Sequence, residues 1–422
     1  MLYKRKIQQI INKWLLKDEV IVLNGPRQVG KTSLLKLLMA ELKRKKIKEE
    51  NIFYFNLEDF EILDELNSSP KNILNYIKIK NKKNYFLIDE IQYLDNPSNF
   101  LKYLYDQHRD KIKLIVTGSS SLELKAKLQD SLAGRKIVFN ISPLCFEEFL
   151  QFKHADILDY YYNNNVPVPV QNKFKKYLDE YLLFGGMPKI VLTLDNEDKK
   201  RLLKNYVNDY INKDIRSIGK VDNLLKFNQL VKVLANQIGN LLNVNELTNT
   251  LNLPRKEIEN YINILEYTFV LQKITPYYNN IRSQITKMPK IYLSDLGLRN
   301  QILNNFVALS GRLDCGNLFE NFIYLELKQN ISKEDIYFYR TIHKAEIDFI
   351  FEKNGVVYPI EVKYKNFNKP MSSRVLKNFC QSNKISCQSG YLVNLTLNQK
   401  ISNKIKFLTF INFFKRLGAV NK

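Results

Sequence analysis

VIVLNGPRQVGKTS, residues 20–33, runs from an apolar stretch into Gly25-Pro-Arg-Gln-Val-Gly30-Lys31-Thr32 and then into residues with helical periodicity. The pattern G-x4-G-K-[ST] between a strand and a helix is a phosphate-cradling loop. Glycines let the backbone turn so that successive amides face one point, and the helix start adds its dipole there. Lys31 is expected to reach the β and γ oxygens of a triphosphate, and the Thr32 hydroxyl to complete a Mg²⁺ shell. Gly25, Pro26, Arg27, Gln28, Val29, Gly30, Lys31, Thr32 and Ser33 are therefore the expected nucleotide contacts, with ATP and Mg²⁺ as cofactors.

Working outward, apolar strands alternate with amphipathic helices. NIFYFNL (51–57), YFLIDE (85–90), KLIVTG (113–118) and KIVFNI (136–141) join VIVLN. Near-continuous apolar strands separated by helices predict a parallel sheet covered on both faces, an α/β fold. Asp89 ends one such strand, where it is expected to hold Mg²⁺ directly or through water, and Glu90 is placed to polarise the attacking water. Thr117 and Ser119 end the next strand. Ser119 is the expected contact to the γ-phosphate.

Composition bounds the rest. A chain of 422 residues with 45% hydrophobic and 12% aromatic content builds packed cores, and at roughly 150 residues per domain it holds several. The formal charge of +22 and pI near 9.5 point to a polyanionic partner, nucleic acid before membrane. The excess is uneven: from Val362 to Lys422 there are twelve Lys or Arg and no Asp or Glu. The four cysteines form no CxxC pair, which fits reduced, buried thiols of a cytoplasmic protein. The N-terminal residues carry charges throughout and lack the apolar core of a signal peptide. No run is long and apolar enough to span a membrane.

A helical region follows the sheet. NNNVPVPVQN (163–172) reads as an exposed connection, with helices resuming at about 173–184, 197–215 and 223–239. Residues 245–271 read as a short helix, a turn at Asn252–Pro254 and a second helix bearing Ile258, Ile262 and Leu265. This is a winged helix-turn-helix pattern, in which Arg255 and Lys256 are candidate DNA contacts. Beyond residue 281 the order is a helix at 315–330, three strands, a helix at 372–383, and the strand GYLVNL (390–395).

Within those strands Asp348, Glu361 and Lys363 are spaced D-x12-E-x-K. Glu361 and Lys363 fall two apart on one strand and so share a face. Paired antiparallel with the strand of Asp348, they bring two carboxylates and an ammonium together. Such carboxylates can hold Mg²⁺ against a scissile phosphate while the lysine orients or deprotonates water. Glu320, on the preceding helix, fits a further metal-binding carboxylate; Glu326 falls on another face, and Gln381 is a weaker candidate for substrate contact.

The order of phosphate loop, Asp-Glu strand, TGSS strand end and Gly134-Arg135 resembles AAA+ ATPases. By that resemblance Arg135 corresponds to the arginine finger supplied to a neighbouring subunit, which implies a homo-oligomer. Gly186-Met187-Pro188 resembles the GxP element that contacts adenine in signal-transducing P-loop ATPases, which nominates Pro188. Asp348, Glu361 and Lys363 resemble the PD-(D/E)xK restriction-endonuclease-like superfamily, although no proline directly precedes Asp348. Across almost its full length the chain is similar to an archaeal and bacterial family that joins an AAA+ ATPase to a nuclease-like domain of unassigned function. The shared blocks are GPRQVGKT, LIDEIQ, TGSSS, LAGR, PLCFEEFL, YLLFGGMP, YINKDI, YLSDLGLRN, LFENFIYLEL, AEIDFI and IEVKYK. The resemblance implies an AAA+ core over 1–160, a helical lid over 161–220, a winged helix over 221–280 and a nuclease-like α/β domain over 281–422. The expected activity is ATP hydrolysis that regulates a Mg²⁺-dependent nuclease acting on DNA. The alternative is an ATP-dependent switch that binds nucleic acid or a protein partner without cleavage.

Overall fold

The computed structural model describes residues 2–79, 82–119, 132–163, 166–215, 221, 223–278, 280–371, 373–382, 386–402 and 404–420. The chain divides into two compact units. The first comprises Met1–Ser142 with the short segments Lys213–Lys220 and Tyr267–Phe269; the second comprises Pro143–Asn212, Val221–Glu266 and Val270–Lys422.

The first unit is built on a five-stranded sheet of β1 (Val20–Gly25), β2 (Ile52–Asn56), β3 (Asn84–Asp89), β4 (Ile112–Ser119) and β5 (Lys136–Asn140), in the order β2-β3-β4-β1-β5. Every neighbouring pair is parallel. All residues of β1 and β3 are buried, as expected of central strands covered on both faces. The helix Lys31–Arg44 follows the phosphate loop directly and turns Leu34, Leu35, Leu38 and Leu42 inward. Phe86, Ile88, Val116 and Val22 of the sheet and Phe100, Leu101 and Leu104 of the helix Pro97–His108 share one core.

The second unit holds a six-stranded sheet and a set of helices. Its strands are β8 (Ile336–Arg340), β9 (Glu346–Lys353), β10 (Val356–Val362), β11 (Gly390–Asn394), β12 (Gln399–Lys400) and β13 (Ile405–Thr409), in the order β12-β13-β11-β10-β9-β8. β8, β9 and β10 pair antiparallel, whereas β10, β11 and β13 run parallel. The β9–β10 hairpin turns through Asn354 and Gly355, both at positive φ, the Asn-Gly pairing that tight hairpins favour. The helix Arg374–Gln381 seats Leu376 and Phe379 on Ile347, Ile350, Val357 and Ile405. The helices Cys315–Asn330 and Phe410–Val420 meet through Phe319, Phe322, Phe410 and Phe414.

In the same unit the helices Leu224–Asn236, Val244–Leu251 and Arg255–Tyr267 precede a two-stranded antiparallel ladder of β6 (Leu271–Ile274) and β7 (Lys290–Leu293). Leu241 bridges to Lys290 on the other side of β7. The chain after β6 continues beside β8, where Tyr277 N donates to Phe338 O at 2.6 Å and Phe338 N to Thr275 O at 3.2 Å.

Several local expectations change. Residues 163–172 are not one connection, because the helix Val168–Phe184 begins inside them. Pro169 sits in its first turn, where the missing N–H has no intrahelical acceptor to lose. The division expected at residue 280 separates β6 from its partner β7. The C-terminal region carries β12, β13 and the helix Phe410–Val420 beyond the elements expected of it. All four cysteines are buried and none is in a disulfide, and Cys380 and Cys387 bring their sulfurs to 2.6 Å. No helix among the described residues is long and apolar enough to cross a membrane.

Candidate functional site

The phosphate loop joins β1 to the helix Lys31–Arg44. Gln28 and Gly30 take positive φ, 61° and 93°, so the backbone reverses hand twice within the loop. Gly25 admits no side chain: a Cβ there would lie 2.3 Å from the Ile141 carbonyl oxygen. Val29 and Pro26 are buried, Arg27 and Gln28 are exposed, Thr32 is half-buried, and Ser33 points outward on the helix. Lys31 is buried, and its ammonium donates to the carbonyls of Gly25 and Pro26, both at 2.9 Å. Burial pushes that ammonium down to about 8, with Glu90 and Asp89 pulling the other way.

A second cation braces the loop. Arg5 is buried and donates from Nη1 to the Val29 carbonyl at 2.9 Å and from Nη2 to the Ser142 carbonyl at 2.8 Å. Nothing in the loop motif identifies Arg5, since it lies upstream of β1 in an ordinary basic stretch.

Asp89 is buried at the end of β3 and both its oxygens are held. Thr117 donates its hydroxyl to Oδ1, and Tyr54 of β2 donates to Oδ2 at 3.0 Å. Burial and the neighbouring Asp89 carboxylate together raise the Tyr54 hydroxyl above its ordinary value, which keeps it a donor. Thr117 Oγ1 also accepts the Glu90 amide at 2.9 Å. Glu90 sits at φ 57°, a left-handed conformation that costs a non-glycine residue and clusters at functional sites. Its carboxylate accepts from the Gln92 amide. Thr117 is thus a strand-end hydroxyl that touches both members of the acidic pair. Ser119 closes β4 beside Gly25 in the backbone register, but its side chain lies outside the described residues, as do Ser120 and Ser121 of the TGSSS block. Arg135, which starts beside β5, pairs its Nε with Asp106 at 2.7 Å.

In the second unit Pro188 opens the short helix Pro188–Leu192. The turn before it is fixed by a residue that sequence reasoning passed over, Asp295. The Gly186 amide donates to Asp295 Oδ2 at 2.7 Å, and Leu298 N donates to Oδ1 at 2.9 Å. Burial pushes the Asp295 carboxyl up to about 6, against the opposing pull of the amides of Leu298, Gly186, Gly297 and Met187. Its signal was the N-cap position in YLSDLGLRN.

The carboxylates of the second unit do gather, but around a lysine. Asp348 of β9 and Glu361 of β10 lie on adjacent antiparallel strands, and Asp348 Oδ2 accepts the Val362 amide at 2.7 Å. Lys363 pairs with Glu361 at 3.1 Å, the same-face geometry expected of i and i+2. Glu361 also accepts from the Ser373 hydroxyl. Lys290, from β7, enters the cluster with its side chain only 1% exposed. Its ammonium lies 3.0 Å from Glu320 Oε1, 2.5 Å from Glu346 Oε1 and 3.9 Å from Asp348 Oδ1. Tyr292, also on β7, donates to the same Glu320 oxygen at 2.7 Å.

The electrostatics follow from that arrangement. Burial alone would lower the Lys290 ammonium; Glu320, Asp348 and Glu346 outweigh it and hold the group above its ordinary value. Burial, with Glu320 adding to it, pushes the Asp348 carboxyl up to about 7, although Lys290 and Lys363 oppose the shift. Among the described residues no group of three or more His, Cys, Asp or Glu side chains is placed to hold a metal ion. Of the carboxylates expected to hold a metal ion, Glu320 and Asp348 face the Lys290 ammonium in this arrangement. A fixed organic cation takes the central position, and Glu361 is engaged by Lys363 and Ser373 instead. Glu326 accepts the Phe146 amide at 2.6 Å, away from the cluster.

Comparison with known proteins agrees with the two-part organisation. Residues 17–150 match the model of an AAA domain. Residues 175–308 and 315–413 match two domains of unknown function, DUF8612 and DUF4143. The chain is 30% identical over 367 residues to the Methanocaldococcus jannaschii protein MJ1544, covering 84% of this chain and 77% of that one. It is 27% identical over 366 residues to an uncharacterized protein of Haemophilus influenzae, covering 85% and 86%. Among solved structures, the Walker-type ATPase of Pyrococcus abyssi aligns with a TM-score of 0.48 at 15% identity, over 71% of this chain and 96% of that one. With the AAA match spanning the parallel sheet and its phosphate loop, the first unit is an ATP-binding AAA-type module. The chain belongs to the family of the M. jannaschii protein MJ1544 and carries, in order, an AAA domain, a DUF8612 domain and a DUF4143 domain.

Proposed function

We propose that this protein is an ATP-hydrolysing switch whose second unit engages nucleic acid and, in the conformation described, does not cut it. One observation carries the choice between switch and nuclease: the Lys290 ammonium among Glu320, Glu346 and Asp348. That ammonium stands among the carboxylates that a divalent ion would need, and a buried charge so paired is costly to dislodge. The cluster in this state does not fit a metal, and no hydrolytic step is assigned to it.

In the first unit Thr32 and Asp89 would hold Mg²⁺, which supplies charge neutralisation between the phosphates. Lys31 would exchange the Gly25 and Pro26 carbonyls for phosphate oxygens. Glu90, fixed through its amide by Thr117, would orient water. Arg135 as a finger would have to leave Asp106. The role of Pro188 at adenine rests on the sequence resemblance alone. Three helices followed by an antiparallel ladder, with Leu241 bridging to Lys290, support the winged-helix reading.

A second reading, an ATP-regulated metal-dependent nuclease, is favoured by the adjacency of Asp348 on β9 and Glu361 on β10, with Lys363 just beyond β10 paired to Glu361. The purified chain with Mg²⁺ or Mn²⁺ and mixed DNA and RNA, with and without ATP, separates the two. The switch reading expects ATP turnover, nucleic-acid binding and no products that depend on Asp348. Cleavage that disappears in Asp348→Ala would overturn it in favour of the second reading.

A further inference from the structure

We propose that Lys400, Lys404, Lys406 and Arg416, clustered at the β12–β13 edge of the second unit, form a docking surface for the phosphate backbone of a nucleic acid. The inference rests on the nucleic-acid part of the function proposed above and gives it a location.

Lys400 of β12 and Lys406 of β13 are direct antiparallel partners. Like charges placed opposite one another in a ladder repel, so this pairing does not exist for the sake of the sheet. Lys406 is half-buried, and burial, then Arg416 and Lys400, lower its ammonium. Lys404, in the turn between the two strands, is exposed and hydrogen-bonds the Cys380 carbonyl at 3.1 Å. Arg416 is exposed on the helix Phe410–Val420. None of the four meets a carboxylate among the described residues, and the sequence from Val362 onward contains none.

Edge lysines also serve to block sheet-to-sheet pairing. That accounts for Lys400, on the terminal strand. It does not account for Lys406, which lies one strand in with its charge partly desolvated, nor for Arg416 on a helix. A half-buried ammonium ringed by like charges is relieved by an anion that spans the group. Successive phosphates present that anion at a spacing no single carboxylate matches. The winged-helix region is the poorer candidate, because Arg255 is already paired with Glu259 at 2.8 Å and bonded to Asn245 at 3.0 Å.

The test uses the full chain and a labelled mixed-sequence DNA duplex, its single strand and the RNA copy, with fluorescence anisotropy between about 50 and about 200 mM salt. In the triple variant Lys400→Gln, Lys406→Gln, Arg416→Gln, affinity should fall about tenfold or more. For the duplex the slope of log affinity against log salt should flatten by about 0.9 per charge removed, about 2.7 in all. Its melting temperature should hold or rise, since repulsion has been removed. Lys400→Glu alone, on the exposed edge, should weaken binding in the same direction and guards against a folding defect. Whichever strand form binds best identifies the ligand. Unchanged affinity and slope in the triple variant overturn the proposal while leaving nucleic-acid binding intact. So does loss confined to Arg255→Gln, Lys256→Gln. A wild-type chain that binds phosphatidylserine vesicles but no nucleic acid overturns both this surface and the nucleic-acid reading beneath it.

Discussion

Lys290 and Glu320, thirty residues apart in sequence, meet at 3.0 Å with the lysine side chain only 1% exposed. The contact ties the second strand of the β6–β7 ladder to the helix Cys315–Asn330, and Glu346 and Asp348 bind the same ammonium from β9. Removing the lysine alone would leave Glu320 and Asp348 without its counter-charge, while Glu346 would keep Arg340 at 2.8 Å. Lys290→Ala should therefore lose about 3–5 kcal/mol of stability. If the pocket can then take a cation, Mg²⁺ or Ca²⁺ should raise the variant's melting temperature and leave the wild type unmoved. Thermal unfolding with and without the ion checks both statements, and a variant as stable as wild type would show that the cluster is not held by this ion pair.

Gly25→Ala should disable the phosphate loop. The added methyl meets the Ile141 backbone oxygen at 2.3 Å, and backbone cannot move aside as a flexible side chain can. Overpacking of this kind costs roughly 1–3 kcal/mol. Loss of ATP binding in a chain that remains folded by circular dichroism is the expected result.

Lys31→Ala should abolish nucleotide binding, and in the wild type the same residue makes binding pH-dependent. Burial lowers its ammonium to about 8 in the free protein. The free protein therefore sheds this proton as pH rises through about 8, whereas a bound triphosphate favours the charged form. ATP affinity should fall between about pH 8 and pH 10, with proton uptake on binding. Calorimetry in buffers of different ionisation enthalpy reads that uptake directly; none at pH 8.5 would contradict the assignment.

Glu90→Gln should bind ATP and hydrolyse it slowly, by about 10²–10⁴-fold if Glu90 acts on the attacking water. Thr117→Val should also slow turnover, by roughly tenfold, because it releases both the Asp89 carboxylate and the Glu90 amide. Single-turnover hydrolysis alongside ATP binding separates the two effects. Equal turnover in Glu90→Gln would move the base elsewhere.

Arg135→Ala should reduce turnover only when subunits associate, because a finger acts on a neighbour's nucleotide. Freeing the arginine by Asp106→Asn should have the opposite sign or none. Light scattering with ATP, beside activity measured across protein concentration, tests this; an equal loss at every concentration would assign Arg135 to its own subunit's Asp106 pair.

The sequence by itself determined the phosphate loop, the order of the parallel strands' segments and the acidic pair after β3. These are local: a glycine pattern needs particular backbone angles, and an apolar run of strand length needs two covered faces. It also set the strand of Asp348 antiparallel to that of Glu361, because a period of two puts Glu361 and Lys363 on one face. Only the tertiary structure decided what stands beside these groups. Arg5, Tyr54 and Thr117 brace the first site from other segments. Asp295 fixes the Gly186 turn from 109 residues further along the chain, and Lys290 sets a buried ammonium among Glu320, Glu346 and Asp348. A lysine that begins a short strand reads as an exposed edge residue. Its burial depends on which helix and which sheet fold over it, and that is a property of long-range packing that no local pattern carries.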